Sequence, residues 1–231
     1  ALNLVLTKWR YEIEKDKIIL AVFVDLKRAF ETICRKRLLQ KLQMYGIQGN
    51  ELKWFESYLS NRFQKTRVGK EESKAIINEL GVPQGSVLGP VLFNIYINDI
   101  TQTVKSCDMH LFADDTLISV SGEDLQTTVN VINEDLIEVT DWFKANKMEL
   151  NVSKTKCMLI GSKQFSNMSN INIFIENNKV EIVEEFKYLG VIIDNHLKFK
   201  KNIDYIVKKV GAKISYFGRI SNKLNFEARI L

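Results

Sequence analysis

The chain has 231 residues, of which 45% are hydrophobic and two are proline, so an extended disordered protein is excluded and one compact domain or two packed subdomains are predicted. The net charge is +5, and residues 187–231 hold ten basic against three acidic side chains. A basic end favours a polyanion such as nucleic acid, although a solvated surface or an acidic membrane face would fit the same count.

The cysteines and the apolar runs exclude further classes of protein. Cys34, Cys107 and Cys157 are widely spaced and form no CxxC pair, which indicates neither a disulfide framework nor a zinc ribbon and favours a reducing, intracellular compartment. No run approaches the roughly 20 apolar residues that span a bilayer, and no charged-then-apolar leader opens the chain. Since the sequence starts at Ala1 without Met, a piece of a longer protein is expected.

The first part of the chain predicts a strand, two helices and a strand pair. IILAVFVD, residues 18–25, is a short apolar run that favours a buried strand ending in the carboxylate of Asp25. Helical spacing follows from Phe30 to about Tyr45, where Gly46 supplies a stop, and again from Glu51 to Leu59. FQKTRV and SKAIINEL then indicate two strands separated by a Gly-Lys turn.

A shaped loop, a helix and a hairpin come next. Residues 81–89, GVPQGSVLG, are too rich in glycine and proline for a regular element. The buried helix PVLFNIYINDI starts with Pro90, which suits a first helical turn. Between Asp108 and Val120, two apolar runs flank Asp114 and Asp115, and this pattern predicts a hairpin with both aspartates at its tip.

The C-terminal half predicts two amphipathic helices separated by strands. Ser121 and Asp124 have capping-box spacing, and a long helix with 3.6-residue apolar periodicity follows from Leu125 to Phe143. TKCMLIG, INIFIE, KVEIV and FKYLGVIID are strand-like. The stripe of the last helix comprises Ile203, Val207, Val210, Ile214 and Phe217.

Three aspartates form the pattern with the clearest chemistry. Adjacent aspartates in a turn usually serve the backbone, because Asp hydrogen-bonds locally and tolerates left-handed conformations. Asp25, at the end of another buried strand, changes this interpretation for Asp114 and Asp115, since three carboxylates could then converge from neighbouring strands. Such oxygen ligands suit Mg²⁺, and two ions about 4 Å apart can stabilise both the attacking and the leaving oxygen of a phosphoryl transfer.

Five segments together resemble the reverse transcriptases of non-LTR, LINE-type retrotransposons. They are AVFVDLKRAF, GVPQGSVLGPVLFNIYINDI, LFADD, NKMELNVSKTKCMLIG and FKYLGVIID. Each is weak alone, but five in this order and spacing are very specific, from about residue 18 to the end. The resemblance implies an α+β fold, a right-hand polymerase palm with an antiparallel sheet backed by helices, partial fingers and a helical thumb. Residues 1–183 would form the palm with partial fingers, and 184–231 the primer-supporting hairpin and the start of a basic thumb.

The same resemblance implies an RNA-directed DNA polymerase that adds dNTPs to a primer 3′-hydroxyl by two-metal phosphoryl transfer. Asp25 and Asp114 would bind two Mg²⁺ ions, for which Mn²⁺ is a possible substitute, and Asp115 would have a supporting role. Lys154 would neutralise or protonate the departing pyrophosphate, although Lys156 is an equal neighbour.

The resemblance also assigns contacts to the nucleotide. Phe30 lies five residues after Asp25, where related enzymes place an aromatic ring that clashes with a ribose 2′-hydroxyl; a core anchor is the structural alternative. Gln84 and Gly85 would contact the nucleotide or template, whereas Gly81 and Gly89 are interpreted as turn residues.

Contacts to the RNA template, the DNA primer and their RNA–DNA duplex are implied for the basic tail, through phosphates and without sequence readout. The implied residues are Lys187, Tyr188, Leu189, Gly190, Lys208 and Lys209. A core-facing helix with solvated lysines is compatible with this role. No membrane partner is expected, and the implied location is intracellular, in the nucleus and/or cytoplasm.

The sequence departs from the family in three places. Arg28 replaces a usual lysine and Glu31 a usual aspartate, and both keep the charge. Only 24 residues precede Asp25, so most of the fingers is expected to be absent. An inactive nucleic-acid-binding remnant and an RNA-synthesising palm enzyme are alternatives that the sequence leaves open.

Overall fold

A computed structural model describes residues 2–161 and 171–221. The α-helices in these ranges are α1 Leu2–Glu14, α2 Arg35–Met44, α3 Gly49–Leu59, α4 Leu88–Ile97, α5 Leu125–Ala145 and α6 Lys200–Ser221. The strands are β1 Ile18–Val24, β2 Leu26–Lys27, β3 Phe63–Gln64, β4 Arg67–Val68, β5 Glu71–Glu72, β6 Ile76–Ile77, β7 Asp108–Phe112, β8 Asp115–Gly122, β9 Glu149–Leu150, β10 Lys156–Ile160, β11 Phe174–Ile175, β12 Asn178–Lys179, β13 Glu181–Ile182, β14 Glu185–Tyr188 and β15 Val191–Asp194. A 3₁₀ turn, Asn98–Gln102, continues α4.

The chain divides after Val183 into two compact units. The first contains a five-stranded sheet in the order β13-β10-β1-β8-β7, in which the β10–β13 pair is parallel and the other pairs are antiparallel. Central β1 pairs with β8 in a register that ends with Val24 opposite Thr116. The C-terminal end of β1 and the N-terminal end of β8 therefore lie at the same end of the sheet.

Both faces of β1 are buried, which explains its uninterrupted apolar sequence. Leu20 and Val22 belong to the main core, which also contains Phe93 of α4 and Leu136 of α5. On the opposite face, α1 contacts β1, and the buried indole of Trp9 donates a hydrogen bond to Ser119 Oγ at 3.3 Å. Helix α1 was not predicted from the sequence.

The helix predicted from Phe30 to about Tyr45 starts later than expected. Helix α2 begins at Arg35, so the predicted start at Phe30 is wrong. Phe30 lies in a turn closed by Arg28, whose carbonyl accepts the N–H groups of Glu31 at 2.9 Å and Thr32 at 3.1 Å. Arg28 has φ +47°, which is incompatible with a right-handed helix. The Phe30 side chain is therefore presented by a turn.

The predicted cap of the long helix is also wrong in part. Ser121 lies in β8 opposite Ile19, and its hydroxyl donates to Glu12 Oε2 at 3.1 Å. Asp124 is the N-cap of α5, and its carboxylate accepts the Thr127 N–H at 2.7 Å. Sheet pairing thus holds Ser121 in the strand, and the helix starts one turn later.

The predicted strand pair between residues 63 and 80 is a hairpin of two short ladders, β3 with β6 and β4 with β5. It turns at Gly69, which has φ +63°. The side chains of Phe63, Val68 and Ile76 are mostly exposed, so hydrogen bonds contribute more than apolar burial to the position of this hairpin.

The second unit consists of the predicted β14–β15 hairpin followed by α6. The hairpin turns through Leu189 and Gly190, both with positive φ, as two-residue type I′ loops require. At the start of α6, the Asp194 carboxylate accepts backbone N–H groups from His196, Lys198 and Phe199. In neither unit does the described part of the chain contain a helix long and apolar enough to cross a membrane.

Candidate active site

The three predicted carboxylates lie at one end of the central sheet. Asp25 directly follows β1, and the β1–β8 register places it opposite Asp115, the first residue of β8. Phe112 pairs with Asp115, so that Ala113 and Asp114 form the two-residue loop of the predicted hairpin. Ala113 has φ +53°, a left-handed conformation that strains a residue with a Cβ.

Negative charge is concentrated at this end. Burial, together with the neighbouring charges of Asp114 and Asp25, raises the pKa of Asp115 above its ordinary value. In residues 2–161 and 171–221, no three His, Cys, Asp or Glu side chains are arranged as a ready set of metal ligands.

The backbone of Asp25 is fixed by the segment that carries Lys154. The Asp25 N–H donates to Thr155 Oγ1 at 3.2 Å, and the Asp25 carbonyl accepts the Asn151 N–H at 2.8 Å. The buried Thr155 hydroxyl in turn donates to the Asn151 carbonyl at 3.0 Å. This role of Thr155 was not predicted, because the contact joins positions 130 residues apart and leaves no local pattern.

The two lysines of this segment differ in their surroundings. Lys156 Nζ donates to the Ser153 carbonyl and pairs with Glu181 at 2.6 Å. Lys154 is exposed, and its ammonium has no hydrogen bond or ion pair with the residues that the structure describes. Of the two, Lys154 is thus the one whose charge is available to a ligand.

Phe30 is half-buried and stacks on the fully buried Phe93 of α4, with ring centroids 4.5 Å apart and an interplanar angle of 26°. The ring is thus anchored on the core and remains partly exposed, while its contact with a ribose stays a prediction.

The loop between the hairpin and α4 exposes Gln84 and Gly85. Gln84 Nε2 donates to Glu31 Oε1 at 3.3 Å, which connects the loop to the turn that contains Phe30. Gly85 has φ +77°, and a Cβ there would meet nothing within 4 Å. Its glycine therefore serves the backbone conformation and leaves the loop surface open.

Gly81 and Gly89 instead serve packing. A Cβ on Gly81 would lie 2.8 Å from the backbone of Phe30 and Glu31. A Cβ on Gly89 would lie 3.1 Å from the Pro83 carbonyl. Both positions are too tight for a larger residue without movement. Gly81 has φ +74°, which agrees with its interpretation as a turn residue. The turn interpretation is wrong for Gly89, because α4 begins at Leu88 and Gly89 lies in its first turn.

A cavity of about 1030 Å³ adjoins this loop. Its lining includes Arg28, Glu31, Arg35, Arg62 and Gln84. Three glutamates, Glu31, Glu79 and Glu149, line the cavity together with the three arginines, so its wall is polar and carries charges of both signs.

In the second unit, two of the predicted basic residues meet on an aromatic ring. Lys187 Nζ donates to the Tyr205 hydroxyl at 3.3 Å and lies 4.7 Å from the ring centroid, and Lys209 Nζ lies 5.7 Å from it. The hydrogen bond from Lys187 lowers the pKa of Tyr205. Tyr205 was not predicted as a site residue, since nothing in the sequence indicates that the hairpin and the helix meet at this ring.

The other predicted residues of this unit differ in exposure. Lys208 and Gly190 are exposed, Leu189 is half-buried, and Tyr188 is only 4% exposed. Tyr188 therefore presents little surface to a partner in this structure.

A mostly antiparallel sheet with carboxylates at one end and helices on its faces is the arrangement of a nucleotide-polymerase palm. Residues 7–193 match the family model described as "Reverse transcriptase (RNA-dependent DNA polymerase)", and the chain belongs to this family. The predicted α+β palm and the predicted family are confirmed.

Similar proteins come from mobile elements. The chain is 26% identical over 199 residues to a probable RNA-directed DNA polymerase from transposon X-element of Drosophila melanogaster, covering 84% of this chain and 22% of the relative. It is 25% identical over 231 residues to the RNA-directed DNA polymerase from mobile element jockey of Drosophila funebris, covering 94% and 24%. The chain thus spans about a quarter of the length of these relatives.

Solved structures show the fold at lower identity. Telomerase from Candida tropicalis, in complex with a fragment of telomeric RNA, superposes with a TM-score of 0.57 at 10% identity, over 85% of this chain and 32% of that one.

Proposed function

We propose that this chain is the catalytic centre of an RNA-directed DNA polymerase of a non-LTR retrotransposon, which adds dNTPs to the 3′-hydroxyl of a DNA primer on an RNA template. The observation that carries the proposal is the opposition of Asp25 and Asp115 beside Asp114, at one end of the sheet of a reverse transcriptase family member. The relatives are RNA-directed DNA polymerases of mobile elements.

Members of this family generally use divalent metal ions. The site fits such ions, because its donors are hard carboxylate oxygens and their crowding raises the pKa of Asp115. Asp25 and Asp114 would hold two Mg²⁺ ions, or Mn²⁺ in their place, with Asp115 beside them. When bound, the ions stabilise the attacking and leaving oxygens of phosphoryl transfer.

The remaining residues of the first unit surround the nucleotide in this proposal. Phe30 excludes a ribose 2′-hydroxyl, with Phe93 supporting its ring. Gln84 and Gly85 contact the nascent base pair through the exposed part of their loop. Lys154 supplies positive charge to the departing pyrophosphate, which its lack of a described partner supports.

The second unit binds the RNA–DNA duplex. Lys187 and Lys209, held at Tyr205, and the exposed Lys208 would contact phosphates without reading sequence. Leu189 and Gly190 at the hairpin turn, with Tyr188 before them, would support the primer. From the mobile-element relatives we infer an intracellular location, in the nucleus and/or cytoplasm.

The test is primer extension on poly(rA)–oligo(dT) with Mg²⁺ and dTTP. Asp114→Asn should lower incorporation about 100-fold or more. Asp141→Asn, the same change at an exposed position of α5, should leave it unchanged. Undiminished synthesis by Asp114→Asn would refute the proposal, and preference for rNTPs would indicate an RNA-synthesising palm enzyme.

The same assay addresses the inactive remnant. A version extended upstream is run beside the chain, and both are tested for duplex binding at increasing salt. Salt-sensitive binding without incorporation by either protein would identify a nucleic-acid-binding remnant, whereas incorporation by the extended protein alone would show that this chain needs its upstream neighbour.

A further inference from the structure

Arg35, the first residue of α2, binds three backbone carbonyls of one short segment, residues 78–81, with one side chain. Its Nε donates to the Gly81 carbonyl at 2.8 Å, Nη2 donates to the Leu80 carbonyl at 2.8 Å, and Nη1 donates to the Asn78 carbonyl. The donors are charged and the acceptors are neutral carbonyls, so each bond is stronger than one between neutral groups. A single guanidinium thus holds the segment that leads into the Gln84 loop.

Backbone contacts extend this attachment towards Phe30. The Gly81 N–H donates to the Ile33 carbonyl at 2.8 Å, and the Val82 N–H donates to the Phe30 carbonyl at 3.1 Å. Cys34 forms an isolated antiparallel bridge with Leu80. Residues 30–35 and 78–82 therefore lie side by side. Phe30 is at the start of the first segment, and Gln84 follows two residues after the end of the second.

Apolar burial contributes little to holding residues 76–80. Ile76 is 69% exposed, Ile77 58% and Leu80 45%. Since these side chains are largely in water, hydrogen bonds hold this segment, and Arg35 supplies three of them. Val82, where the contact ends, is buried.

The geometry requires arginine. Three carbonyls contributed by Asn78, Leu80 and Gly81 accept from three different nitrogens of one planar group. Lysine has a single nitrogen on a flexible stem and cannot reach acceptors spread along four residues in the same way.

We propose that Arg35 is a positioning residue for the incoming nucleotide: it fixes the distance between Phe30 and the Gln84–Gly85 loop, and so sets dNTP affinity and the rejection of ribose. The inference rests on the proposed function for its kinetic consequences. Arg35 does not itself contact the reacting atoms, and duplex binding should be independent of it.

The kinetic test compares Arg35→Ala and Arg35→Lys with Lys36→Ala, a neighbouring exposed lysine whose side chain has no hydrogen bond or ion pair in the described ranges. Arg35→Ala should raise the KM for dTTP about tenfold or more, as expected for losing a hydrogen bond to a charged group. It should also raise rNTP use relative to dNTP, while kcat and the duplex Kd stay near the original values. Arg35→Lys should give a KM and an rNTP use between those of Arg35→Ala and the original chain. Lys36→Ala should change neither quantity.

An unchanged KM in Arg35→Ala, or an equal effect of Lys36→Ala, would overturn the proposal. The proposal would also be overturned if kcat of Arg35→Ala fell in proportion to its loss of folded protein, measured by circular dichroism, and Arg35→Lys restored neither.

Amide hydrogen exchange tests the attachment without catalysis. Peptides covering residues 78–86 should exchange faster in Arg35→Ala, because the Gly81 and Val82 amides lose protection, and should be intermediate in Arg35→Lys. Unchanged protection would refute the positioning role even in an active enzyme. If neither the chain nor its extended version incorporates nucleotide, the proposed function and the kinetic consequence both fail, and exchange alone decides whether Arg35 holds the segment.

Discussion

Asp25, which directly follows β1, and Asp115, the first residue of β8, lie opposite one another in the register of the ladder, one position beyond its last pair, Val24 and Thr116. Like charges directly opposite one another destabilise a sheet. The fold nevertheless places Asp114 beside them, in a turn whose first residue has a strained conformation. The charges at this end of the sheet cost stability, and the proposed cation binding would relieve that cost.

The pH dependence of stability should reveal this cost. Because burial and its acidic neighbours raise the pKa of Asp115, the folded chain holds this proton more tightly than the unfolded chain. The corresponding stability is present below the ordinary aspartate pKa and is lost as pH rises through the raised value. We expect Asp115→Asn to raise the Tm at pH 7 without divalent cations, and the gain to vanish towards pH 3. Asp141→Asn is the control, and a gain that grows on acidification would contradict the prediction.

Replacing Phe30 should relax sugar selection. Phe30→Ala removes the ring that rests on Phe93, so the ratio of rNTP to dNTP incorporation should rise about tenfold or more. Phe174→Ala, at an aromatic residue that is 47% exposed on β11, is the control. The readout is kcat/KM for each nucleotide, and an unchanged ratio would assign Phe30 to the core alone.

Substitutions of Lys154 and Lys156, the lysines of residues 151–156, should affect different quantities. Lys154→Ala should lower kcat about tenfold to 100-fold, since its charge is available to the leaving group. Lys156→Ala breaks the pair with Glu181, a partly exposed contact, and should cost less than about 1 kcal/mol of unfolding free energy. Single-turnover kinetics and urea denaturation measure the two effects, and the reverse pattern would transfer the role to Lys156.

Thr155 should be essential through its hydroxyl. Thr155→Val keeps the shape but leaves the Asp25 N–H without its acceptor, so we expect a loss of about 1–3 kcal/mol in unfolding free energy and a lower kcat. Thr155→Ser retains the hydroxyl and should stay close to the original protein in thermal denaturation and primer extension. Equal losses in both variants would show that the methyl group, and not the hydrogen bond, matters.

The sequence predicted the elements with local signals. The apolar run before Asp25, the hairpin at Asp114 and Asp115, and the periodicity of α5 all follow from neighbouring residues, and the structure contains each of them. Phe30 was assigned to a helix because its spacing is helical, but the left-handed Arg28 and the close approach of Gly81 hold it in a turn.

The hydrogen bonds that hold the site residues in place could not be predicted from the sequence. Thr155 reaches Asp25 across 130 residues, and Arg35 reaches Gly81 across 46. A hydrogen bond of this kind requires one suitable donor at one position and leaves no periodic pattern. Arg35 in particular lies among other basic residues of α2 and has the sequence context of a solvated surface residue.

The hydrogen bond between Asp25 and Thr155 also forms late during synthesis of the chain, because the two residues are translated far apart in time. A ribosome that adds about 5–20 residues per second needs on the order of ten seconds to travel from the first of these positions to the second. During that interval β1 lacks β10, its partner on one side, and the Asp25 backbone lacks both of its hydrogen bonds to residues 151–155. The nascent protein therefore completes the end of the sheet that carries the three aspartates only after most of its sheet has been translated.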